Sequence, residues 1–312
     1  MVNPENSPPL LCRLCNGQRL ELAVPLTRTP IADHFVTNAK LNKTQECCPL
    51  ELWLCCECGH LQLGCVVDPN VLFRDYLYVT TSSSGLVDHF EELAMQLIDQ
   101  LPGPAGCDRL AIDIGSNDGS MLRSFQMRGM RVLGIDPAVE LARRATDAGL
   151  ETLPEYFSAG LAEKILDLYG AATIVTANNV FAHSGRLRDM VKGVALVLAE
   201  DGIFEFEVNY VLDIIDNFLF DTVYHEHLCY HAVGPLVRFL NEFGLELFQV
   251  IPIPSKGGSI RCLVQHSQGP QPIDSSVARF LDLENSRKVD CLDTYKSFSA
   301  KLNLAVSNVA HS

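Results

Sequence analysis

The stretch Leu110–Leu122, L-A-I-D-I-G-S-N-D-G-S-M-L, constrains this chain more than any other. Ala111, Ile112 and Ile114 make a short apolar run that ends at Gly115. A second glycine, Gly119, stands four positions on, and a helical pattern follows. A strand, a tight turn and a helix start are therefore expected. In a parallel sheet such a turn lies at the carboxyl end of a strand, where backbone N–H groups face a crevice suited to a nucleotide-like ligand. The next strand, Arg131–Ile135, ends in Asp136, whose carboxylate can accept both hydroxyls of a ribose.

The glycine spacing separates two cofactors. A dinucleotide fold wants G-x-G-x-x-G, because its middle glycine lets backbone approach a pyrophosphate. Here that position is Asn117, and the run is Gly115-x-x-x-Gly119. S-adenosylmethionine has no pyrophosphate, so the pattern favours this methyl donor over NAD. A plain βαβ unit that binds nothing is the bland alternative.

At 312 residues the chain can bury a substantial core and should hold two or three domains. Its formal charge of −14 argues against nucleic acid or an anionic membrane as partner, since either wants a basic face. No basic segment precedes an apolar stretch at Met1 to Leu11, and no apolar segment is long enough to span a bilayer. A soluble, cytoplasmic protein is expected, with a monomer as the default.

Twelve cysteines are many for such a protein, and disulfides would be unusual there. Cys12-x-x-Cys15 and Cys55-x-x-Cys58 are two knuckles that can bring four thiolates to one tetrahedral zinc, the second turning through Gly59. A closed four-cysteine site leaves no open coordination position, so this zinc is expected to be structural, stabilising by roughly 10–16 kcal/mol and doing no chemistry. Between the knuckles, "PLTRTPIADHF" and "CCPLELWLCCECGHLQL" read as short strands bracketing a loop. Cys47, Cys48, Cys56 and Cys65 lack paired spacing and read as buried small apolar residues.

After Asp68-Pro69, a helix is expected from about 85 to 100, with Thr80 to Ser84 as possible N-caps and Pro102-Gly103-Pro104 as its end. Tyr76 and Tyr78 just before it read as core aromatics, with a lid over the site as the other choice. Strand and helix then alternate: 110–115, 119–128, 131–136, 138–148, 151–153, 158–168, the strand "ATIVT" running into Asn178-Asn179, 186–199 and 202–208. "LELFQVIPIP" and "GGSIRCLVQ" suggest an antiparallel hairpin at the sheet edge, and a helix is expected around 281–306. The expected fold is α/β: a Rossmann-like class I methyltransferase sheet with an antiparallel edge hairpin, preceded by a small zinc-binding domain. The expected boundaries are 1–68 for the zinc domain, 69–105 for a helical connector, 106–265 for the methyltransferase domain and 266–312 for the start of a C-terminal region that reads as truncated.

The densest polar cluster is Asp221-Thr222-Val223-Tyr224-His225-Glu226-His227. Histidine is the natural base near neutral pH, and a glutamate can orient an imidazole and favour its charged form. H-E-H does not place its histidines on one helical face, so no catalytic-zinc spacing is present. A solvated polar turn is the alternative reading. His183, five residues beyond Asn178, can reach the same crevice from a strand-end loop or can simply lie on the surface.

These pieces in order resemble the nucleotide-sugar C-methyltransferases of deoxysugar pathways, of the tetronitrose 3-C-methyltransferase type. The matching motifs are C-R-L-C, W-L-C-C-E-C-G-H-L-Q-L, Y-L-Y-V-T-T-S-S-S, D-I-G-S-N-D-G-S-M-L, G-I-D-P-A, A-N-N-V-F-A-H, F-E-V-N-Y, F-D-T-V-Y-H-E-H-L-C-Y and G-G-S-I-R. The resemblance implies a zinc-bearing N-terminal domain, a methyltransferase domain, and methylation of a sugar carbon beside a ketone on a thymidine-diphosphate sugar. By similarity Cys12, Cys15, Cys55 and Cys58 bind zinc, and Gly115, Ser116, Asp118, Asp136 and Asn178 line the donor site. In the same way Tyr78, His183, Tyr224, Glu226 and His227 face the sugar, with His227 as base. The chemistry agrees: carbon has no lone pair for a sulfonium methyl, so a proton must first leave beside the carbonyl, with Tyr78, Tyr224 or His183 steadying the oxyanion. This sequence departs from the family in carrying Ser255-Lys256 where relatives usually have His before G-G-S, and relatives continue into a further α/β domain. An O- or N-methyltransferase for another small molecule, and a non-catalytic paralogue that keeps zinc and donor, are the competing functions.

Overall fold

The computed structural model describes residues 10–32, 36, 38, 41–74, 76, 78–83, 85–103 and 108–310. Asp33–Phe35 at the end of the first expected N-terminal strand, Ser84 among the cap candidates and Pro104 lie outside the described residues.

The strands are β1 (Leu20–Thr29), β2 (Cys48–Cys55), β3 (Leu61–Leu63), β4 (Leu110–Ile114), β5 (Arg131–Ile135), β6 (Thr152–Leu153), β7 (Ala172–Thr176), β8 (Leu198–Asn209), β9 (Cys229–Tyr230), β10 (Leu245–Ile253) and β11 (Ser259–His266). The helices are α1 (Pro69–Phe73), α2 (Leu86–Asp99), α3 (Ser120–Gln126), α4 (Val139–Asp147), α5 (Ala159–Tyr169), α6 (Leu187–Val197), α7 (Val211–Asp216), α8 (Val233–Asn241), α9 (Ser275–Arg287) and α10 (Leu292–Ala310).

Seven strands form one sheet in the order β10-β11-β8-β7-β4-β5-β6. All five residues of β4 are buried, as a strand covered on both faces requires. On one face α2 and α3 bring Phe90, Leu93, Leu97, Met121 and Phe125 against Ile174, Ile203 and Leu263. On the other, α5 and α6 contribute Leu161, Ile165, Val191 and Val194. The chain steps from β4 to β5 and β6 on one side and then crosses to β7 and β8 on the other. That reversal opens a crevice above the carboxyl ends of β4 and β7. The expected hairpin is present, with one refinement. β11 runs antiparallel to β8 and β10 antiparallel to β11, so β10 points the same way as the parallel strands. The turn after β10 therefore arrives at the crevice side of the sheet.

Both glycines of the opening motif have left-handed backbone, at φ +74 for Gly115 and +78 for Gly119. Neither position has room for a Cβ: it would lie 2.2 Å from Val180 at Gly115 and 2.6 Å from Leu150 at Gly119. Protein packing alone demands glycine here. The N-cap of α2 is Gly85, with φ 82 and no side-chain cap, while Thr80–Ser82 form a short 3-10 turn of their own in place of the expected cap.

The second sheet has the order β1-β2-β3-β9, antiparallel throughout. Its fourth strand comes from the far side of the sequence, directly after Tyr224–His227. Leu61 pairs with Tyr230 and Gln62 with Cys229. Arg13 seals this joint: its backbone N–H donates to Gln62 Oε1 at 2.8 Å, and its guanidinium donates to the carbonyls of Leu63 and Leu228 at 2.8 and 3.1 Å.

The single helix expected around 281–306 is two helices. α9 begins earlier, capped by Asp274, and ends at Lys288, which takes a left-handed φ of 52 before α10 starts. Glu284 of α9 explains the arrangement. Its buried carboxylate accepts the N–H groups of Val233 and Gly234 at 2.6 and 2.8 Å, at the positive end of α8, and the Tyr210 hydroxyl at 3.1 Å. Among the described residues no helix is long and apolar enough to cross a membrane.

Candidate active site and metal centre

Cys12, Cys15, Cys55 and Cys58 converge so that their four sulfurs lie within 4.8 Å of one another. The Cys12–Cys58 and Cys15–Cys55 sulfurs are 3.5 and 3.6 Å apart. Sulfurs at about 2.3 Å from a tetrahedral zinc have a similar spacing, and four thiolates are the donor set of a closed structural site. Without a cation the thiols resist ionising together. Burial pushes Cys15 up to about 12, and Cys58 rises through its hydrogen bond to Cys12 and its burial, while that same bond holds Cys12 down at about 5. Of the other N-terminal cysteines, Cys56 is exposed and Cys47, Cys48 and Cys65 are only partly buried, so the reading of these four as buried apolar residues does not hold.

The glycine turn differs from expectation in an informative way. Most of its backbone donors do not face an open crevice, because they are used internally. Gly115 and Ser116 donate to the carbonyl of Ile135, Asn117 to Asp136 Oδ2 at 2.8 Å, Gly119 to the carbonyl of Ser116 and Ser120 to Asp118 Oδ1. A pyrophosphate would find these amides already taken. What faces the cavity is side-chain chemistry: Ser116, whose buried hydroxyl has no partner among the described residues, and Asn178, whose amide beside Glu205 makes no well-formed hydrogen bond. Asp136 accepts backbone N–H groups from Asn117 and Ala138, one on each oxygen, and each oxygen keeps a lone pair for a hydroxyl. Such groups suit a ribose and an amino-acid tail better than a phosphate chain.

A cavity of about 660 Å³ opens here. Gly115, Ser116, Asp136 and Asn178 line it from the donor set inferred from sequence, with Pro137, Tyr156 and Phe157 beside Asp136. Asp113 also lines it, and burial raises its carboxyl to about 7 against the hydrogen bond from Thr176. Asp118 is not on its wall. One of its oxygens accepts the Thr81 N–H at 2.9 Å and the other caps α3 through Ser120.

The same cavity is also lined by Tyr76, Tyr78, His183 and Tyr224. Tyr76 and Tyr78 are thus wall residues and not core aromatics. Sequence reasoning missed what holds them. Asn117, in left-handed backbone at φ 50, accepts the N–H and hydroxyl of Thr80 through Oδ1 and donates from Nδ2 to the Tyr78 carbonyl. The residue that replaces the middle glycine is a clamp on the tyrosine segment, and its identity as asparagine was the only available signal.

His227 sits behind Tyr224. Its Nδ1 is 2.7 Å from the Thr222 carbonyl, which can only accept, so Nδ1 carries the proton. Nε2 is then a lone-pair acceptor, 3.1 Å from the Tyr224 hydroxyl. The Thr222 carbonyl, not Glu226, orients this imidazole; Glu226 accepts from Tyr76 at 3.5 Å. The His227 ring lies 5.0 Å from that of His183, which stacks on Phe73 at 5.8 Å. Burial, with a further contribution from Lys256, lowers His227 to about 4 and His183 well below its usual value, so both are neutral at pH 7. His225 is fully buried away from the cavity.

These buried neutral imidazoles make stability depend on pH. Burial lowers His227 to about 4 and His231 to about 3, whereas both bind a proton near 6.5 when unfolded. Between pH 6.5 and 4 these two positions therefore hold more protons in the unfolded chain, and their contribution to stability falls as pH falls. Going from pH 7 to 5 should cost roughly 4 kcal/mol for the pair. The pH dependence of denaturant midpoints in His231→Gln compared with the unsubstituted protein checks it: His60, His183 and Asp113 titrate alike in both, so the variant should lose about 2 kcal/mol less on going from pH 7 to 5, and an identical pH dependence would contradict the neutral burial of His231.

With this geometry established, the relatives are informative. Residues 12–73 match a family described as "Putative zinc binding domain", 87–250 a family described as methyltransferase domain and 254–311 one described as C-methyltransferase C-terminal domain. Over 288 residues the chain is 31% identical to C-methyltransferase NovU of Streptomyces niveus, covering 92% of this chain and 68% of that protein. The chain belongs to the C-methyltransferase family. It is an S-adenosylmethionine-dependent methyltransferase with a four-cysteine zinc-binding domain. Among solved structures, magnesium protoporphyrin IX methyltransferase (ChlM) from Synechocystis PCC 6803 with bound SAM is 15% identical, with 59% of this chain and 80% of that chain covered and a TM-score of 0.43. An S-adenosylmethionine-dependent methyltransferase from Clostridium acetobutylicum is 13% identical, with 58% and 92% covered and a TM-score of 0.46.

Proposed function

We propose that this C-methyltransferase acts on a keto-deoxysugar nucleotide of the thymidine-diphosphate class, at the carbon next to the ketone, through an enolate generated by His227. One observation carries the reading: a hydrogen-bonded chain from the Thr222 carbonyl through His227 to the Tyr224 hydroxyl ends on the wall of the cavity that also holds Ser116, Asp136 and Asn178. A catalyst for oxygen or nitrogen, which bring their own lone pairs, has less need of a buried base so arranged. The motif resemblance supplies the sugar-nucleotide class.

S-adenosylmethionine, when bound, supplies an electrophilic methyl group. Asp136 would take its ribose hydroxyls, Pro137, Tyr156 and Phe157 would wall its purine, and Ser116 and Asn178 would meet its polar tail, with Gly115 shaping the turn. Asp118 serves by holding Thr81, and so the tyrosine segment, in place. Residues 1–68 act as the zinc module, 69–105 as the connector, 106–265 as the catalytic domain and 266–312 as a C-terminal region.

His227 removes the proton through Tyr224. The Tyr224 oxygen takes the proton from the substrate carbon as its own proton passes to Nε2, and the Thr222 carbonyl steadies the resulting imidazolium through Nδ1. The C–H electron pair forms the carbon–carbon double bond of the enolate, and the carbonyl electrons move to oxygen. Tyr78 and His183 line the wall where that oxygen is steadied, with Glu226 holding Tyr76 behind them. The apolar surroundings exclude water, and both partners are held close enough for positioning to supply much of the rate.

The test is a panel of thymidine-diphosphate keto sugars in deuterated water. Gain of one methyl group by mass, with washout of the hydrogen beside the ketone, is the expected result. Methylation without washout would move the reaction to an oxygen or nitrogen.

A further inference from the structure

We propose that Lys256 is a further catalytic residue, whose ammonium binds the substrate oxygen that becomes the enolate oxyanion; this rests on the enolate reading above.

The turn between β10 and β11 carries Lys256 to the crevice because β10 runs parallel to the central strands. The turn is fixed. Asn217 donates to the Gly257 carbonyl at 3.1 Å, the Gly258 N–H donates to the Ser255 carbonyl at 3.0 Å, and the Ser259 hydroxyl reaches the same carbonyl at 3.3 Å. A side chain at Gly257 would strike Leu219, and one at Gly258 would strike Asp213, so the two glycines let the turn lie flat on α7 and the segment after it. Lys256 itself adopts left-handed backbone, φ 53 and ψ 33, which disfavours a residue with a Cβ. Such strain persists only where surroundings over-determine it. Here the result is a lysine turned into the cavity, on the wall that includes Tyr224 and His183.

The charges around it point to an anionic ligand atom. Among the described residues two cationic side chains line the cavity, both exposed. Arg186 pairs with Asp189 at 3.1 Å. The Lys256 ammonium has no ion pair or hydrogen bond with a described residue. The two carboxylates that act on it electrostatically are engaged elsewhere: Glu207 by His89 and Arg261 at 2.9 and 2.7 Å, and Glu226 by Tyr76. They stabilise the cation from a distance and leave its donors to the cavity. The cation in turn opposes protonation of His183 and His227 and keeps the base ready. When a C–H electron pair becomes part of the enolate, negative charge appears on the former carbonyl oxygen and positive charge on the imidazole. An ammonium facing that oxygen balances the first without forming or breaking a bond. Lysine suits this role as a compact charge with three donors.

The experiment compares wild type with Lys256→Met and Lys256→Arg on a keto-sugar nucleotide that the wild type methylates, reading deuterium washout, kcat and KM for donor. Lys256→Met should lower washout and kcat together by about 10²–10³-fold, as loss of one oxyanion donor does. KM for the donor should stay within about threefold, and Lys256→Arg should recover about tenfold or more of the loss. Washout and kcat in Lys256→Met within about threefold of wild type would overturn the assignment. So would a kcat that falls while washout does not, because the enolate would then form without the lysine. If Lys256→Met fails to bind donor, Lys256→Gln takes its place under the same outcomes. A wild type inert on every keto-sugar nucleotide overturns the enolate reading and this inference with it, whereas an active wild type matched by Lys256→Met overturns this inference alone.

Discussion

Replacing His227 with alanine should lower methylation by about 10³–10⁴-fold, the upper part of the range for losing a general base. Donor affinity should change by less than about threefold. The two effects separate because the groups lie on different parts of the frame. The donor groups Ser116 and Asp136 follow β4 and β5, whereas His227 is held by Thr222 and Tyr224 on the segment before β9. Deuterium washout should be lost along with turnover. Tyr224→Phe should lose it as well, since its hydroxyl links Nε2 to the cavity wall. Calorimetric donor binding and washout on one preparation check both claims. Turnover unchanged in His227→Ala would remove the base from the mechanism.

The second large effect is expected from stripping the metal. A structural zinc contributes about 10–16 kcal/mol of binding energy, so a strong chelator should lower the melting temperature by roughly 20 °C or more. Activity should fall with it, although none of Cys12, Cys15, Cys55 and Cys58 lines the cavity. The reason is the shared sheet. β9 pairs with β3, and Arg13, next to Cys12, ties the carbonyls of Leu63 and Leu228 together. When the knuckles come apart, Leu228–Tyr230 lose their partners, and His227 stands one residue away. The seven-stranded sheet should survive, so donor binding should outlast turnover. Cys58→Ser should reproduce the chelator. Full activity in a metal-free preparation would mean that the base is positioned without the small sheet.

Much of this was legible in the sequence where local chemistry decides the outcome. The two C-x-x-C pairs announce a cluster because only a cation reconciles four neighbouring thiolates. Gly115 and Gly119 announce a turn, and the alternation after it follows from buried apolar strands and amphipathic helices. Other features depend on partners far away. A two-residue strand such as β9 has no periodicity to read, so its pairing with β3 could not be foreseen. The internal use of the amides of Gly115, Ser116 and Asn117 depends on where Ile135 and Asp136 fall, and the clamp formed by Asn117 depends on Thr80 folding back. Glu226 looked like the orienting partner of His227 because it is adjacent in sequence, but the turn from Thr222 to His227 brings a backbone carbonyl there first. Lys256 stood out in sequence only as a departure from its relatives; its place on the wall follows from the direction of β10. The helix expected at 281–306 broke at Lys288 because Glu284 is committed to the start of α8.

The strand order of the small sheet also has a consequence for synthesis on the ribosome. Leu61 emerges roughly 170 residues before Tyr230, its eventual neighbour. At about 5–20 residues per second, β3 waits some 10–30 s with an open edge. During that interval the nascent knuckles can already hold their ion, but their last rung is missing, and an open edge invites pairing with other chains. Translation speed and chaperone cover between the two segments should therefore govern the yield of active enzyme, because the machinery for removing a proton is completed only when the late rung docks.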